Sequence, residues 1–373
     1  MLDEAVARHP HARAILGAAV PPDGAPSHAY LFHGPAGAGK KDAAKAFAAE
    51  LLSDRAADPA SARRRAVEGV HPDLTWVRPS GAADMLVADI EEPVIGAASR
   101  TPFEAQRRVF VIEGADTMND QAANKLLKTL EEPPPFAHLV LLTNRPGNIL
   151  PTIRSRCQLV RFEAASPQQL SDRLQTRHGV PPLTADAAAR LALGDAERAL
   201  ALALAEGPAL RHTAERYARA ALHSTLHERP HVALLDLARA RGDAAATAIA
   251  EQIAADADLL PDREAKRAKR EGETAGKRAH RRAHAATVDH GLQLVGLWFR
   301  DVAVVKDGAP ELVHHVDRAD ELRADAEATR ASSGALRDAV GLAEEARTMQ
   351  MLNPSEELAL EALASKLERT LRG

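Results

Sequence analysis

The chain has 373 residues, too many for one ordinary core, so two or three domains are expected. Hydrophobic residues at 45% and charged residues at 27% are those of a soluble globular protein, while aromatics at 3% and abundant alanine and leucine favour helix packing over sheet. The balance of 48 basic against 52 acidic residues, a net charge of −4, excludes the overall footprint of a free-standing nucleic-acid binder, so any such contact must be local.

The one cysteine, Cys157, excludes an internal disulfide and a cysteine-built zinc site. No apolar run approaches the length needed to span a bilayer, and the opening MLDEAVARHPHARAIL lacks the basic-then-apolar order of a secretory signal. The expected location is the cytoplasm, with no membrane partner.

In chain order, AYLFH (29–33), DLTWV (73–77), RVFVIE (108–113), HLVLLTN (138–144) and CQLVRF (157–162) are short apolar runs separated by helical stretches. Continuous apolar strands of this kind predict a five-stranded parallel sheet with helices on both faces. Between the third and fourth runs, Ala123, Leu126, Leu127 and Leu130 follow helical spacing, and Pro133 to Pro135 end that helix. After Phe162 the strand signal fades. Ser166, Pro167 and Gln169 form a helix start, a second helix is expected over 184–194, and a third runs from Asp195 until Gly207 and Pro208. From Pro208 the chain reads as helix broken at Pro230, 307–310, 332–334 and Asn353-Pro354. The expected division is an α/β module over 1–165, a three-helix lid over 166–207 and an all-α collar over 208–373.

Immediately after the first strand comes a glycine-rich turn of Gly34, Pro35, Ala36, Gly37, Ala38, Gly39, Lys40 and Lys41. It matches the phosphate-loop spacing G-x-x-x-x-G-K-[ST] except at the last position. Backbone N–H groups in such a turn point into an anion, and the helix expected over 42–52 adds the positive end of its dipole. Lys40 is placed to reach terminal phosphates. The departure at Lys41 matters because Mg²⁺ is held by the loop hydroxyl with an acid ending the third strand, and a charged lysine cannot ligate it. That strand ends in Glu113, and Gly114 stands where a water-activating glutamate usually follows. The two departures argue against nucleotide hydrolysis and disfavour magnesium, while binding of ATP or ADP without turnover stays open.

The block LLKTLEEPP (126–134), Thr143-Asn144 ending the fourth strand and Ser155-Arg156-Cys157 entering the fifth, together with the loop and HPDL at His71, resemble the AAA+ subunits of clamp loaders. The resemblance covers about residues 25–165. It implies an AAA+ α/β module, a helical lid and an all-α collar that holds the subunit in a ring with the gamma/tau motor subunits and a delta subunit of DNA polymerase III. That ring opens the sliding clamp and loads it at primer–template DNA. The degenerate loop and the missing catalytic glutamate resemble the non-motor members, and the absence of cysteine over 52–71 means no zinc module. On this resemblance Thr143 and Asn144 are candidate nucleotide-binding residues beside the loop. Arg156 falls where an arginine finger reaches a neighbouring subunit's ATP, a task suited to an always-charged planar fork. Two other readings stand beside this one: an active gamma/tau-like ATPase, and a DNA-binding adaptor acting through residues 262–284.

Four features remain. Arg198 lies where the lid of such proteins offers a cation to nucleotide, with the spacing of any exposed helix charge. His223, His227 and His231 recur every four residues and are read as exposed helix histidines, because Pro230 interrupts them and no acid or thiol joins. Cys157 is read as a small buried apolar residue. DREAKRAKREGETAGKRAHRRAH (262–284) is strongly basic, either a solvated connector or a phosphate contact, and Gly272 and Gly276 argue against one rigid helix there. It leads into Val288, Leu292, Val295, Phe299 and Val302 at packing-helix spacing.

Overall fold

Each of the five apolar runs is too short for a stable helix and rich in Val, Ile, Leu and Phe, and all five are strands: β1 (Ala29–His33), β2 (Leu74–Val77), β3 (Arg108–Glu113), β4 (Ala137–Thr143) and β5 (Gln158–Arg161). They pair in parallel in the order β2-β3-β4-β1-β5. The computed structural model describes residues 1–79, 85–204, 207–257, 262–349 and 355–372. These form two compact units, Met1–Ser166 with Gly194–Ala196, and Pro167–Leu193 with Glu197–Gly373.

In the first unit, alternation along the strands sends Tyr30, Phe32, Val109, Val111, Val140 and Leu142 into one core and Leu31, Phe110, Ile112, Leu139 and Leu141 into another. Burial on both faces is why the runs carry no polar alternation. Helices α1 (Leu2–Val6), α2 (Pro10–Ala19), α3 (Lys40–Ser53) and α4 (Pro59–Glu68) cover the first core. The second lies under α5 (Val87–Ile90), α6 (Asp120–Glu131) and α7 (Pro151–Arg154). Asn119 caps α6 by accepting the Ala122 N–H at 2.9 Å. The second strand begins one residue later than read from the sequence, because Asp73 serves a loop instead. Its buried carboxylate accepts the N–H groups of Phe103, Glu104 and Ala105 at 2.7, 3.0 and 2.9 Å.

The second unit is helical: α8 (Pro167–His178), α9 (Pro182–Leu191), α10 (Ala196–Ala203), α11 (Gly207–Leu222), α12 (Pro230–Ala257), α13 (Asp262–Lys306), α14 (Ala319–Ala328), α15 (Ser333–Met349) and α16 (Glu356–Arg372). Apart from Ser166 and Gly194–Ala196, the segments read as lid and as collar both belong to it. Gly207 and Pro208 open α11 rather than closing the helix before it, since proline fits a first turn where its missing N–H has no partner to lose. The start expected at Asn353-Pro354 lies outside the described residues.

The expectation that Gly272 and Gly276 break the basic segment is overturned, for α13 runs unbroken over 45 residues. The glycines serve packing. Helix α12 runs antiparallel to α13, and a Cβ at Gly272 would come within 2.7 Å of Ile253 Cδ1, while one at Gly276 would stand 3.6 Å from the Ala246 carbonyl oxygen. Each glycine costs about 1 kcal/mol of helix propensity, and close approach of the two helices offsets it. Val288, Leu292, Val295, Phe299 and Val302 are buried as their spacing predicts. Two buried carboxylates tie this unit together. Asp301 accepts the His314 and His315 N–H groups at 2.8 and 2.9 Å, and Asp325 takes Trp298 Nε1 at 3.0 Å and His223 Nε2 at 3.0 Å. His231, read as exposed, is buried, and burial lowers its pKa; packing of the first turn of α12 outweighs the polarity of a neutral imidazole. Among the described residues no group of histidine, cysteine or acid side chains could hold a metal ion, and no helix is long and apolar enough to cross a membrane.

Candidate functional site

β1 delivers the chain to the C-terminal edge of the sheet at His33, and after six intervening residues α3 begins at Lys40. Gly34, Gly37 and Gly39 take φ of 149°, 64° and 88°, values that side-chain-bearing residues rarely adopt. At Gly34 the demand is doubled, since a Cβ would lie 2.2 Å from the Phe162 carbonyl oxygen. Pro35, Ala36 and Ala38 complete the turn, with Ala38 fully buried. The loop therefore has a built shape that ends on the N-terminus of a fourteen-residue helix.

Lys40 is buried, and its Nζ donates to the carbonyl oxygens of Gly34 and Pro35 at 2.7 and 2.5 Å, so the ammonium lies over its own loop. The surroundings favour an anion. Burial lowers the pKa of His33, and the charges of His11, Arg154, Arg161 and Lys40 push it further down. One neighbour works the other way: a Cβ at Gly37 would meet Asp195 Oδ1 at 2.1 Å, which sets a carboxylate against the loop. Asp195 reads in sequence only as a helix start, and nothing in its local pattern marks it as a loop neighbour.

Lys41 and Glu113, the two positions where a metal would be held, bind each other. Lys41 Nζ stands 2.7 Å from Glu113 Oε1, and Glu113 Oε2 accepts Trp76 Nε1 and Arg78 Nε at 3.1 Å each. Burial opposes ionisation of Glu113, but the Lys41 ammonium, the Trp76 indole N–H and the Arg78 guanidinium outweigh it and hold its carboxyl below the usual range. Both oxygens are thus engaged by donors, and position 41 offers a cation where Mg²⁺ needs an oxygen. This donor set does not fit magnesium. Trp76 and Arg78 are parts of the site that sequence reading missed, because nothing in β2 announces that it lies beside the end of β3.

Thr143 ends β4 beside His33, is buried, and donates its hydroxyl to Asp116 Oδ1 at 2.8 Å while accepting the Arg145 N–H at 2.9 Å. Asn144 is exposed next to it. Asp116 was missed; a second acid three residues after Glu113 was the available signal. Arg198 is committed elsewhere, donating to Gln293 and, at 3.1 Å, to Asp289 of α13.

Arg156 lies at the other edge of the sheet. β5 runs parallel to β1 with Gln158 opposite Tyr30, so Arg156, two residues earlier, stands at the N-terminal edge, whereas the loop follows the C-terminal end. Five strand residues at about 3.3 Å each separate them by roughly 15 Å or more. The guanidinium is 35% exposed, bonds the Thr152 carbonyl at 2.9 Å and pairs with Glu131 at 2.7 Å. It lines an open polar recess of about 420 Å³ with Ser27, His28, Glu131 and Gln158. Cys157, beside it, is buried, and burial pushes its thiol up to about 12, which leaves it inert at neutral pH. His71 of the HPDL motif accepts the Asp73 N–H at 3.1 Å and so positions the Asp73 loop anchor rather than any ligand.

This cradle, its two departures and the edge arginine occur in the order read from the sequence. The family described as DNA polymerase III, delta subunit, matches residues 19–166. The DNA polymerase III subunit delta' of Bacillus subtilis is 40% identical over 156 residues, which is 40% of this chain and 46% of that one. The delta' subunit of Pseudomonas aeruginosa is 40% identical over 136 residues, 35% of this chain and 42% of its own. The Bacillus subtilis tau subunit is 34% identical over 150 residues, 40% of this chain and 27% of its own. The matched segment thus spans less than half the length of each of these relatives. In residues 19–166 the chain matches the DNA polymerase III delta-subunit family, and its α/β module is similar to the delta-prime subunits.

Proposed function

We propose that the protein is an accessory clamp-loader subunit of DNA polymerase III, acting in DNA replication in the cytoplasm without turning over nucleotide itself. The observation that carries this reading is the Lys41–Glu113 pair, in which a cation and an acid satisfy each other at the positions where an ATPase holds its metal. Glycine at 114 adds that no side chain is present there to polarise a water. ATP or ADP would be held by the loop N–H groups and Lys40, with Thr143 and Asn144 at the rim and Arg198 as a further candidate.

Arg156 acts in trans on this reading. Its own loop is at the opposite sheet edge, and its guanidinium is exposed enough to exchange Glu131 for the terminal phosphate of ATP in a neighbouring motor subunit. A delocalised, permanently charged fork placed on a phosphoryl group stabilises charge that grows in the transition state. The division into α/β module, lid (166–207) and collar (208–373) belongs to the same proposal, with the helical part joining this subunit to gamma/tau and delta subunits. The sliding clamp and primer–template DNA are then partners of the assembled complex.

The test is to mix the purified chain with gamma/tau-type and delta subunits, follow co-elution, and measure ATP hydrolysis by the chain alone. Co-elution with no turnover by the isolated chain is expected. Turnover at ordinary enzyme rates would favour the motor reading, and failure to join the other subunits would remove the assembly role.

A further inference from the structure

Helix α13 carries a feature that the clamp-loader reading does not use. Lys277, Arg278, Arg281 and Arg282 are all exposed, and among the described residues none of them has an ion-pair partner. Their neighbours are committed: His280 stands 3.2 Å from Asp243 and His284 lies 3.4 Å from Glu356. Gly272, Gly276 and His280, at four-residue steps, face α12. At about 100° per residue, positions 278 and 282 turn away from that contact, while Lys277 and Arg281 border the cleft that α13 forms with Ala246, Ala250 and Ile253 of α12. The result is a cationic ridge with two charges on each of two successive helical turns. Glu273 is the nearest acid on the helix, one turn away.

We propose that this ridge binds the phosphate backbone of duplex DNA. The spacing suits it, since residues four apart rise about 6 Å, close to two steps of one DNA strand at about 3.4 Å each. Composition separates DNA from other acidic partners. Protein interfaces are more than about half non-polar, and membrane-surface helices need an apolar face, yet only Ala275, Ala279 and Ala283 intervene here and no exposed large hydrophobic side chain lies between 272 and 286. Phosphates need only cations. The inference does not depend on the clamp-loader assignment and concerns a different surface.

The experiment uses the full chain and a fluorescently labelled duplex of about 25 base pairs, with anisotropy followed over a salt series. Four contacted phosphates give a log–log slope near −3.6, so the ridge should account for about a 150-fold loss of affinity between about 50 and 200 mM salt. The variant K277Q/R278Q/R281Q/R282Q should lose most of that slope and bind on the order of 100-fold more weakly at low salt. The control R100Q/R239Q/R323Q/R337Q removes the same net charge from exposed arginines that already have acidic partners, and should bind like the parent. Circular dichroism checks that both remain folded. If the fourfold variant does not, single replacements, each lowering the slope by about 0.9, decide the matter.

Four results would overturn the proposal: no binding at low salt, equal loss in the control, polyglutamate or phosphatidylserine vesicles binding as well as DNA, or salt-insensitive binding. The last would point instead to non-ionic contacts in the apolar cleft of Ala246, Ala250 and Ile253, which Lys277 and Arg281 also line.

Discussion

Replacing Arg156 by alanine separates a structural role from a catalytic one, because the two differ in size. Within its own chain the guanidinium makes an ion pair with Glu131, the partners 35% and 49% exposed, and one bond to the Thr152 carbonyl. A pair this exposed contributes about 0–1 kcal/mol and a half-exposed hydrogen bond about as much, so the variant should lose about 1 kcal/mol. For a unit of this size that lowers the melting temperature by roughly 2–4 °C. A trans-acting finger is a larger matter. Its loss removes about 10³–10⁵ of the rate at the site it serves, equivalent to roughly 4–7 kcal/mol. The assay is steady-state ATP hydrolysis by the reconstituted complex, with assembly checked by size exclusion and stability by thermal melting. The expected outcome is intact assembly, a small melting shift, and a fall in hydrolysis by at least the share of the silenced site. Arg156→Lys keeps the charge but loses the planar fork, and should recover little of the rate. An unchanged rate in the alanine variant would refute the reasoning, as would a lower rate explained by failed assembly.

Three further outcomes follow from the site and the cores. Lys41→Thr should cost less than about 1 kcal/mol, the ammonium being 47% exposed, and should still show no magnesium-dependent release of labelled phosphate, because Gly114 supplies no base; turnover would contradict this. Asp195→Asn should tighten binding of ADP about tenfold, through about 1.4 kcal/mol of relieved repulsion at the loop; titration calorimetry showing no change would mean the carboxylate does not face the anion. His138 and His290 are buried neutral, burial lowering each pKa to about 4. Below the unfolded value near 6.5 the unfolded chain takes up protons that the folded chain refuses. Their stabilisation is therefore complete above about pH 6.5 and falls between about pH 6.5 and 4, by up to about 3 kcal/mol each. Urea midpoints flat down to pH 4.5 would contradict that expectation; His138 reports on the first unit and His290 on the second.

The strands, the helix between β3 and β4, the phosphate loop and its two departures were legible in the residues because each depends on a local pattern. An apolar run of a certain length, a glycine that must take positive φ and a proline that must end or start a helix act through nearby chain geometry. The packing face of α13 was legible for the same reason, from Val288 to Val302. Where local pattern was read too far, as at Gly272 and Gly276, the error came from weighing helix propensity without the neighbour that the glycines admit. Only the tertiary structure decided that Lys41 and Glu113, seventy-two positions apart, neutralise each other, that Trp76 and Arg78 join them, that Asp195 abuts the loop, and that Arg156 stands at the sheet edge opposite its own cradle. Those facts depend on strand order and register, which bring distant residues within a few ångströms. Coulombic and hydrogen-bond interactions at that range set the charge state of the site, and no local pattern encodes them.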